Sequence, residues 1–135
     1  MSRIIFAGLC FVLWPVARSL AADPAPRLVI DEPVFESREI RPGTVFSHEF
    51  TLLNEGDAPL LIEDVSTGCS CLVAAYDRSI APGGRGRVHL AVDVYQKWAG
   101  RDFYRTVWLA TNDPEAAQVS LVVRGRVAEE AADRQ

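Results

Sequence analysis

The chain has 135 residues, 49% of them hydrophobic, with 14 basic and 18 acidic residues and a formal net charge of −4. An acidic chain with little lysine is a poor nucleic-acid binder on electrostatic grounds, so that class of function is disfavoured. The length supports one domain with a substantial hydrophobic core, but not two.

Residues 1–22 have the features of an export signal. Arg3 precedes the apolar stretch Ile4–Val16, and small residues around Ala21 fit a signal-peptidase cleavage site. The stretch is shorter than the roughly 20 residues that cross a bilayer, and no second stretch of that length follows. We therefore expect a cleaved signal peptide and no stable membrane span afterwards, with an uncleaved anchor as the alternative.

Cleavage changes the charge and the cysteine content of the chain. Without Arg3 and Arg18, 12 of the 14 basic residues remain against 18 acidic ones, a net charge of about −6. Cys10 is also lost, which leaves Cys69 and Cys71. The expected location is the periplasm or the extracellular space, where disulfides persist.

Beyond a short proline-containing linker at residues 23–27, the chain reads as strands up to residue 128, followed by a polar tail at 129–135. Apolar and polar residues alternate with a period of two, and Pro-Gly and Asn-Asp-Pro turns separate the runs. The predicted strands are Leu28–Asp31, Val34–Glu36, Val45–Leu53, Leu60–Val65, Leu72–Tyr76, Arg87–Val94, Phe103–Thr111 and Gln118–Val127.

Seven or eight short alternating strands in about 100 residues indicate an all-β protein, an immunoglobulin-like antiparallel β-sandwich. The inward-facing residues of the longer strands would form the core between the two sheets. These are Phe46, Phe50, Val88, Leu90, Val107, Leu109, Leu121 and Val123.

Three segments together resemble a known family: FTLLNEGDAPLLIEDVSTGCSCLV, IAPGGRGRVHLAVDV and ATNDPEAAQVSLVVRGRV. They match the pattern of the bacterial secreted domains of unknown function numbered fifteen-seventy-three, including Cys-x-Cys and Thr-Asn-Asp-Pro. The resemblance runs from about Val29 to Val127. It implies a fold similar to the immunoglobulin-like domains of the major sperm protein and cilium-associated type, which are non-enzymatic interaction modules.

Cys69 and Cys71 are the main candidates for chemistry. In an extended strand their Cα atoms would be about 6.6 Å apart, at the upper end of the disulfide range, and a bend at Gly68 would bring them closer. A bridge across so short a loop would stabilise the fold by only about 1.6 kcal/mol, against about 3 kcal/mol for a 15-residue loop. A local disulfide or structural thiol pair, a redox-active pair and a metal site all remain open.

For a metal, two thiolates suit Cu(I), whereas zinc needs four ligands. The only other candidate ligands are His48 and His89. His48 shares a strand face with two phenylalanines, which indicates a core or rim position, and His89 lies on an outward face. No complete zinc site is expected, and no cofactor is expected apart from the Cu(I) alternative.

A candidate interaction surface comes from the aromatic residues Tyr104 and Trp108, which share the outward face of their strand, and from Trp98 in the preceding loop. The acidic residues have no spacing that favours acid–base catalysis, and no catalytic triad or phosphate-binding loop is present. We therefore expect no enzyme. The sequence favours a non-catalytic exported module that binds protein partners, with a Cu(I)-binding or thiol-redox protein as the alternative.

Overall fold

A computed structural model describes residues 22–70 and 72–129. The expected signal peptide, with Cys10, lies outside the described residues apart from its last residue, as do Cys71 and most of the polar tail. Within the described part, no helix has the length and apolarity needed to span a membrane.

The described residues form strands and one short 3₁₀ turn, Gln96–Trp98. The strands are β1 (Leu28–Val29), β2 (Val34–Ile40), β3 (Thr44–Asn54), β4 (Leu60–Thr67), β5 (Leu72–Tyr76), β6 (Ser79–Ile80), β7 (Arg85–Val94), β8 (Asp102–Thr111) and β9 (Gln118–Val127).

These strands form two sheets, which confirms the predicted all-β sandwich. The first sheet has the order β1-β3-β7-β5 and the second has the order β2-β9-β8-β4-β6. All pairs are antiparallel except β2 with β9, which run parallel from Val34 opposite Val122 to Ile40 opposite Val127. The prediction of an antiparallel sandwich is therefore wrong for this one pair of strands. After β1 the chain leaves the first sheet and enters the second beside β9, the last strand in the sequence, running in the same direction as β9.

The strand boundaries follow the predicted alternation closely. β5 and β9 begin and end at the predicted residues, whereas β2 and β4 extend beyond their predicted ends. The sequence prediction missed β6, whose two residues pair with Leu60 and Leu61 at the start of β4. Two residues are too few to show a period of two, so β6 had no detectable signal.

The core lies between the sheets and consists of the inward-facing residues of the long strands. Seven of the eight predicted core residues are buried, and Phe46 is partly buried against the same cluster. The central strand β7 shows the alternation most clearly, since Val88, Leu90, Val92 and Val94 are each at most 2% exposed. Burying such side chains stabilises the fold by roughly 1.5–3 kcal/mol each.

Polar side chains hold the turns at one end of the sandwich. Buried Asn54 accepts hydrogen bonds from the backbone N–H groups of Arg27 and Gly56 and donates to the carbonyls of Ala58 and Ile80. All the hydrogen-bonding capacity of this buried amide is thereby used. The bond to Arg27 also attaches the segment expected to be a linker.

The Thr-Asn-Asp-Pro motif has a similar structural task. Asp113, only 3% exposed, accepts hydrogen bonds from the N–H groups of Leu28 in β1 and Glu115 in its own turn. Asn112 accepts from the N–H of Leu61 in β4. The motif therefore ties the β8–β9 turn to strands of both sheets.

Candidate interaction groove

An open groove of about 550 Å³ lies where the chain passes from the second sheet to the first, after Thr67 and before Leu72. Its walls come from that crossing segment and from β8 and β9. The lining residues are Gly68, Cys69, Leu72, Tyr104, Arg105, Thr106, Trp108, Ser120 and Val122. We call this feature the crossing groove.

The groove exists because β4 is too short to accompany β8 along its whole length. β4 pairs with β8 only as far as Thr67, which lies opposite Val107. On the other side, β9 pairs with β8 down to Asp102. Among the described residues, no strand therefore lies on the β4 side of β8 before Val107, and we call this stretch, Asp102–Thr106, the open half of β8.

Hydrogen bonds at the strand ends show which backbone groups face the open side. Val127 N–H donates to the carbonyl of Arg101, and Thr111 N–H donates to the carbonyl of Ala117. In an antiparallel pair, alternate residues turn both backbone groups to the same neighbour. Odd-numbered residues of β8 therefore bond towards β9, and even-numbered residues such as Tyr104 turn towards the side that β4 leaves open.

Arg105 occupies an inward-facing position beside this open side. Its guanidinium carbon lies 4.5 Å from the ring centroid of Trp98 and 4.9 Å from that of Phe103. Its Nη1 donates a 2.6 Å hydrogen bond to the carbonyl of Tyr104. The side chain thus covers one backbone acceptor that a neighbouring strand would otherwise use.

The remaining donors of Arg105 are less well satisfied. Its Nε is buried and has no hydrogen-bond partner among the described residues. The ion pairs of the described residues involve Arg87, Arg124 and Arg126, but not Arg105. Burial lowers the pKa of the Arg105 guanidinium, because the charged form loses hydration that no described carboxylate replaces.

The three aromatic residues predicted to form an interaction surface do not all lie on the same side of the sheet. Tyr104 and Trp108 lie on the outward face of β8 and are 59% and 41% exposed. Trp98 instead packs against the core, with its ring centroid 6.3 Å from that of inward-facing Phe103 and 4.9 Å from that of Tyr95. Only Tyr104 and Trp108 line the crossing groove.

Cys69 also lines the crossing groove and is partly buried against the core. Its carbonyl accepts one hydrogen bond from Leu72 N–H and a second from the hydroxyl of Thr67. The predicted partner, Cys71, lies outside the described residues. Cys69 does have an interaction partner.

The two histidines lie apart from Cys69 in the described fold. His48 stacks on Phe35 with ring centroids 3.7 Å apart, and its edge meets Phe50 at 4.7 Å. Burial lowers the pKa of His48, and the nearby charges of Glu32 and Glu49 partly oppose this shift. His89 is exposed on β7. No group of three or more metal-ligating side chains occurs among the described residues.

The acidic residues considered for catalysis are Glu63, Asp64, Asp93 and Asp102, and all four are exposed. Asp102 forms a surface ion pair with Arg126 at 3.7 Å. Exposed carboxylates of this kind show none of the burial that tunes a catalytic acid.

Sequence reasoning overlooked Arg105, although a signal was available. In Phe103–Leu109, every second residue faces the core, and Arg105 is the one charged residue in that series. An arginine at an inward position needs a partner or an opening to solvent. The sequence does not predict that β4 stops short of Arg105, because this depends on where two separate strands, β4 and β8, end.

Comparison with protein families identifies the chain. A family model described as "Protein of unknown function (DUF1573)" matches residues 28–127. The chain belongs to the DUF1573 family. Comparison with curated proteins found no match.

Solved structures similar to this DUF1573 chain share its fold. A protein of unknown function from Porphyromonas gingivalis W83 has a TM-score of 0.61 and 22% identity, covering 76% of this chain and 46% of its own. The ASH/PapD-like domain 7 of human CEP192 has a TM-score of 0.61 and 10% identity, covering 96% and 99%. The Escherichia coli chaperone DraB has a TM-score of 0.53 and 14% identity, covering 78% and 57%.

The DUF1573 chain thus spans about half the length of the Porphyromonas protein that it matches. At these identities the similarities establish the fold alone, an immunoglobulin-like or PapD-like sandwich.

Proposed function

We propose that this DUF1573 chain is an exported, non-catalytic module that binds a protein partner through the crossing groove. The observation that carries this proposal is the open half of β8, whose backbone groups have no described neighbouring strand beside the exposed rings of Tyr104 and Trp108. Export is supported by the charge and apolar pattern of residues 1–22.

The groove suits an extended segment because it continues the line of β4. A segment placed there can exchange backbone hydrogen bonds with β8, and alternate side chains then point towards or away from the core. Trp108 and Tyr104 supply large, rigid contact areas on the outward rim, and aromatic residues of this kind dominate binding energy at protein interfaces.

The proposal is tested by replacing a groove residue and an equally exposed residue elsewhere. Trp108→Ala should weaken binding of the partner that the purified wild-type protein captures by at least about tenfold, since an anchoring aromatic contributes about 2 kcal/mol. Leu61→Ala is the matched control, because Leu61 is 42% exposed and lies at the other end of β4. Equal binding by both variants, or a defined catalytic turnover by the purified protein, would contradict the proposal.

For the cysteines we propose a local disulfide between Cys69 and Cys71, with Cu(I) binding by the reduced pair as the alternative. The hydrogen bond between Leu72 N–H and the Cys69 carbonyl supports the bridge, because it holds Leu72 closer to Cys69 than a fully extended strand would.

Intact mass with and without alkylation distinguishes these two states. The exported protein should gain alkyl groups only after reduction, and metal analysis should find no copper. One Cu(I) per reduced chain, lost in Cys71→Ser and retained in the control Ser70→Ala, would instead establish the copper alternative.

A further inference from the structure

The crossing groove contains a cation whose binding capacity is only partly used. Arg105 Nη1 is bonded to the Tyr104 carbonyl, while Nε is buried without a hydrogen-bond partner in the described part of the chain. A buried donor in this state is unfavourable, and an acceptor that reaches it restores the missing hydrogen bond.

The arrangement of donors on Arg105 selects the chemistry of that acceptor. The guanidinium presents its N–H groups in a planar fork, and engagement of Nη1 leaves the edge formed by Nε and Nη2. Two parallel hydrogen bonds from such an edge match the two oxygens of a carboxylate. A carboxylate also supplies the negative charge that none of the described ion pairs gives to Arg105.

Aromatic rings pack against the Arg105 guanidinium. The guanidinium carbon lies 4.5 Å from the ring centroid of Trp98 and 4.9 Å from that of Phe103, which restricts the movement of the group. Positively charged groups held over aromatic faces are attracted to the rings and lose little further freedom on binding. The guanidinium is therefore held close to the open half of β8.

Together these observations point to the chemical class of the partner. We propose that the crossing groove binds an extended segment carrying a glutamate or aspartate side chain, whose carboxylate pairs with Arg105 while its backbone bonds to the groups of the open half of β8 that Arg105 does not cover. This inference rests on the proposed function and adds the residue type that the partner must present.

The test uses blocked peptides of alternating threonine and valine as probes, titrated into the purified protein and followed by backbone and Arg Nε–H NMR signals. One peptide has a central glutamate and its matched control has a central glutamine. The glutamate peptide should shift the signals of Tyr104, Thr106, Leu72 and Arg105 Nε–H. Its affinity should exceed that of the glutamine peptide by about tenfold, since hydrogen bonds to charged groups contribute about 1.5 kcal/mol or more.

Variants assign this preference to one side chain. Arg105→Gln should abolish the preference for glutamate. Arg105→Lys, which keeps the charge and is the more conservative change at an inward position, should reduce it because lysine lacks the planar fork. Arg124→Gln should leave it unchanged, because Arg124 is already paired with Glu36 at 3.1 Å on the outward surface.

Three results would overturn the inference: equal affinity for the two peptides, no shift at the groove with the glutamate peptide, or a preference retained in both Arg105 variants. A third peptide, with glutamine at the centre and a free carboxyl terminus, identifies the source of the carboxylate. If it alone binds, the groove recognises a chain end rather than an acidic side chain. Each of these outcomes leaves the Trp108→Ala result, and hence the proposed function, to be decided separately.

Discussion

Two ionisable side chains on inward faces of the described strands, those of His48 and Arg105, pack against aromatic rings. His48 of β3 stacks on Phe35 of β2, so the contact joins one sheet to the other at their β1–β2 side. Arg105 packs on Trp98 and Phe103 beside the crossing groove. Rings replace part of the lost hydration in both cases, but only Arg105 lines the groove with a buried donor left over.

The position of His48 predicts how stability depends on pH. Its pKa in the folded state is lowered by burial, with Glu32 and Glu49 opposing, whereas the unfolded chain has a pKa of about 6.5. The unfolded state therefore binds the proton more readily. The free energy of unfolding should fall as pH decreases through about 6.5 and level off below the folded pKa.

Urea unfolding of wild type and His48→Phe between pH 7.5 and pH 5 measures this effect. The phenylalanine variant should lose less stability over the range, and His89→Gln, which removes the exposed histidine, should behave like wild type. Parallel curves for wild type and His48→Phe would show that His48 does not contribute.

At the level of elements, the two halves of β8 differ because its neighbours have different lengths. β9 accompanies β8 from Asp102 to Ala110, while β4 ends at Thr67, opposite Val107. The sequence predicts β8 and β9 well, since both alternate over ten residues with buried apolar side chains on one face. It predicts poorly where the pairing between β4 and β8 ends. The register of these two strands depends on a bulge between Ile62 and Asp64 that has no local sequence signal.

Only part of the candidate site could be predicted from the sequence. Tyr104 and Trp108 could be assigned to the outward face by the period of two. Trp98 could not be separated from them, because it lies in a 3₁₀ turn whose direction depends on packing against Phe103. Arg105 interrupts an apolar series and could have been found by that interruption alone.

At the scale of the whole molecule, an immunoglobulin-like sandwich leaves edges on both sheets, and this chain protects them unequally. β2 lies at one edge and carries three acidic or basic side chains, Glu36, Arg38 and Glu39, a composition that discourages pairing with other chains. β5, at the edge next to the crossing groove, has the uncharged sequence LVAAY. Of these two edges, β5 is the more receptive to an added strand, and it lies on the side where β8 is also open.

Amide hydrogen exchange of the purified protein measures whether the open half of β8 is free to pair with another strand. Tyr104 and Trp108 both lie in β8. Tyr104 N–H faces the open side, whereas Trp108 N–H faces β4 where the two strands pair. Tyr104 should exchange far faster than Trp108 in the free protein and become protected when a partner segment binds. Protection of Tyr104 equal to that of Trp108 in the free protein would show that the groove is already filled and that β8 has no open half.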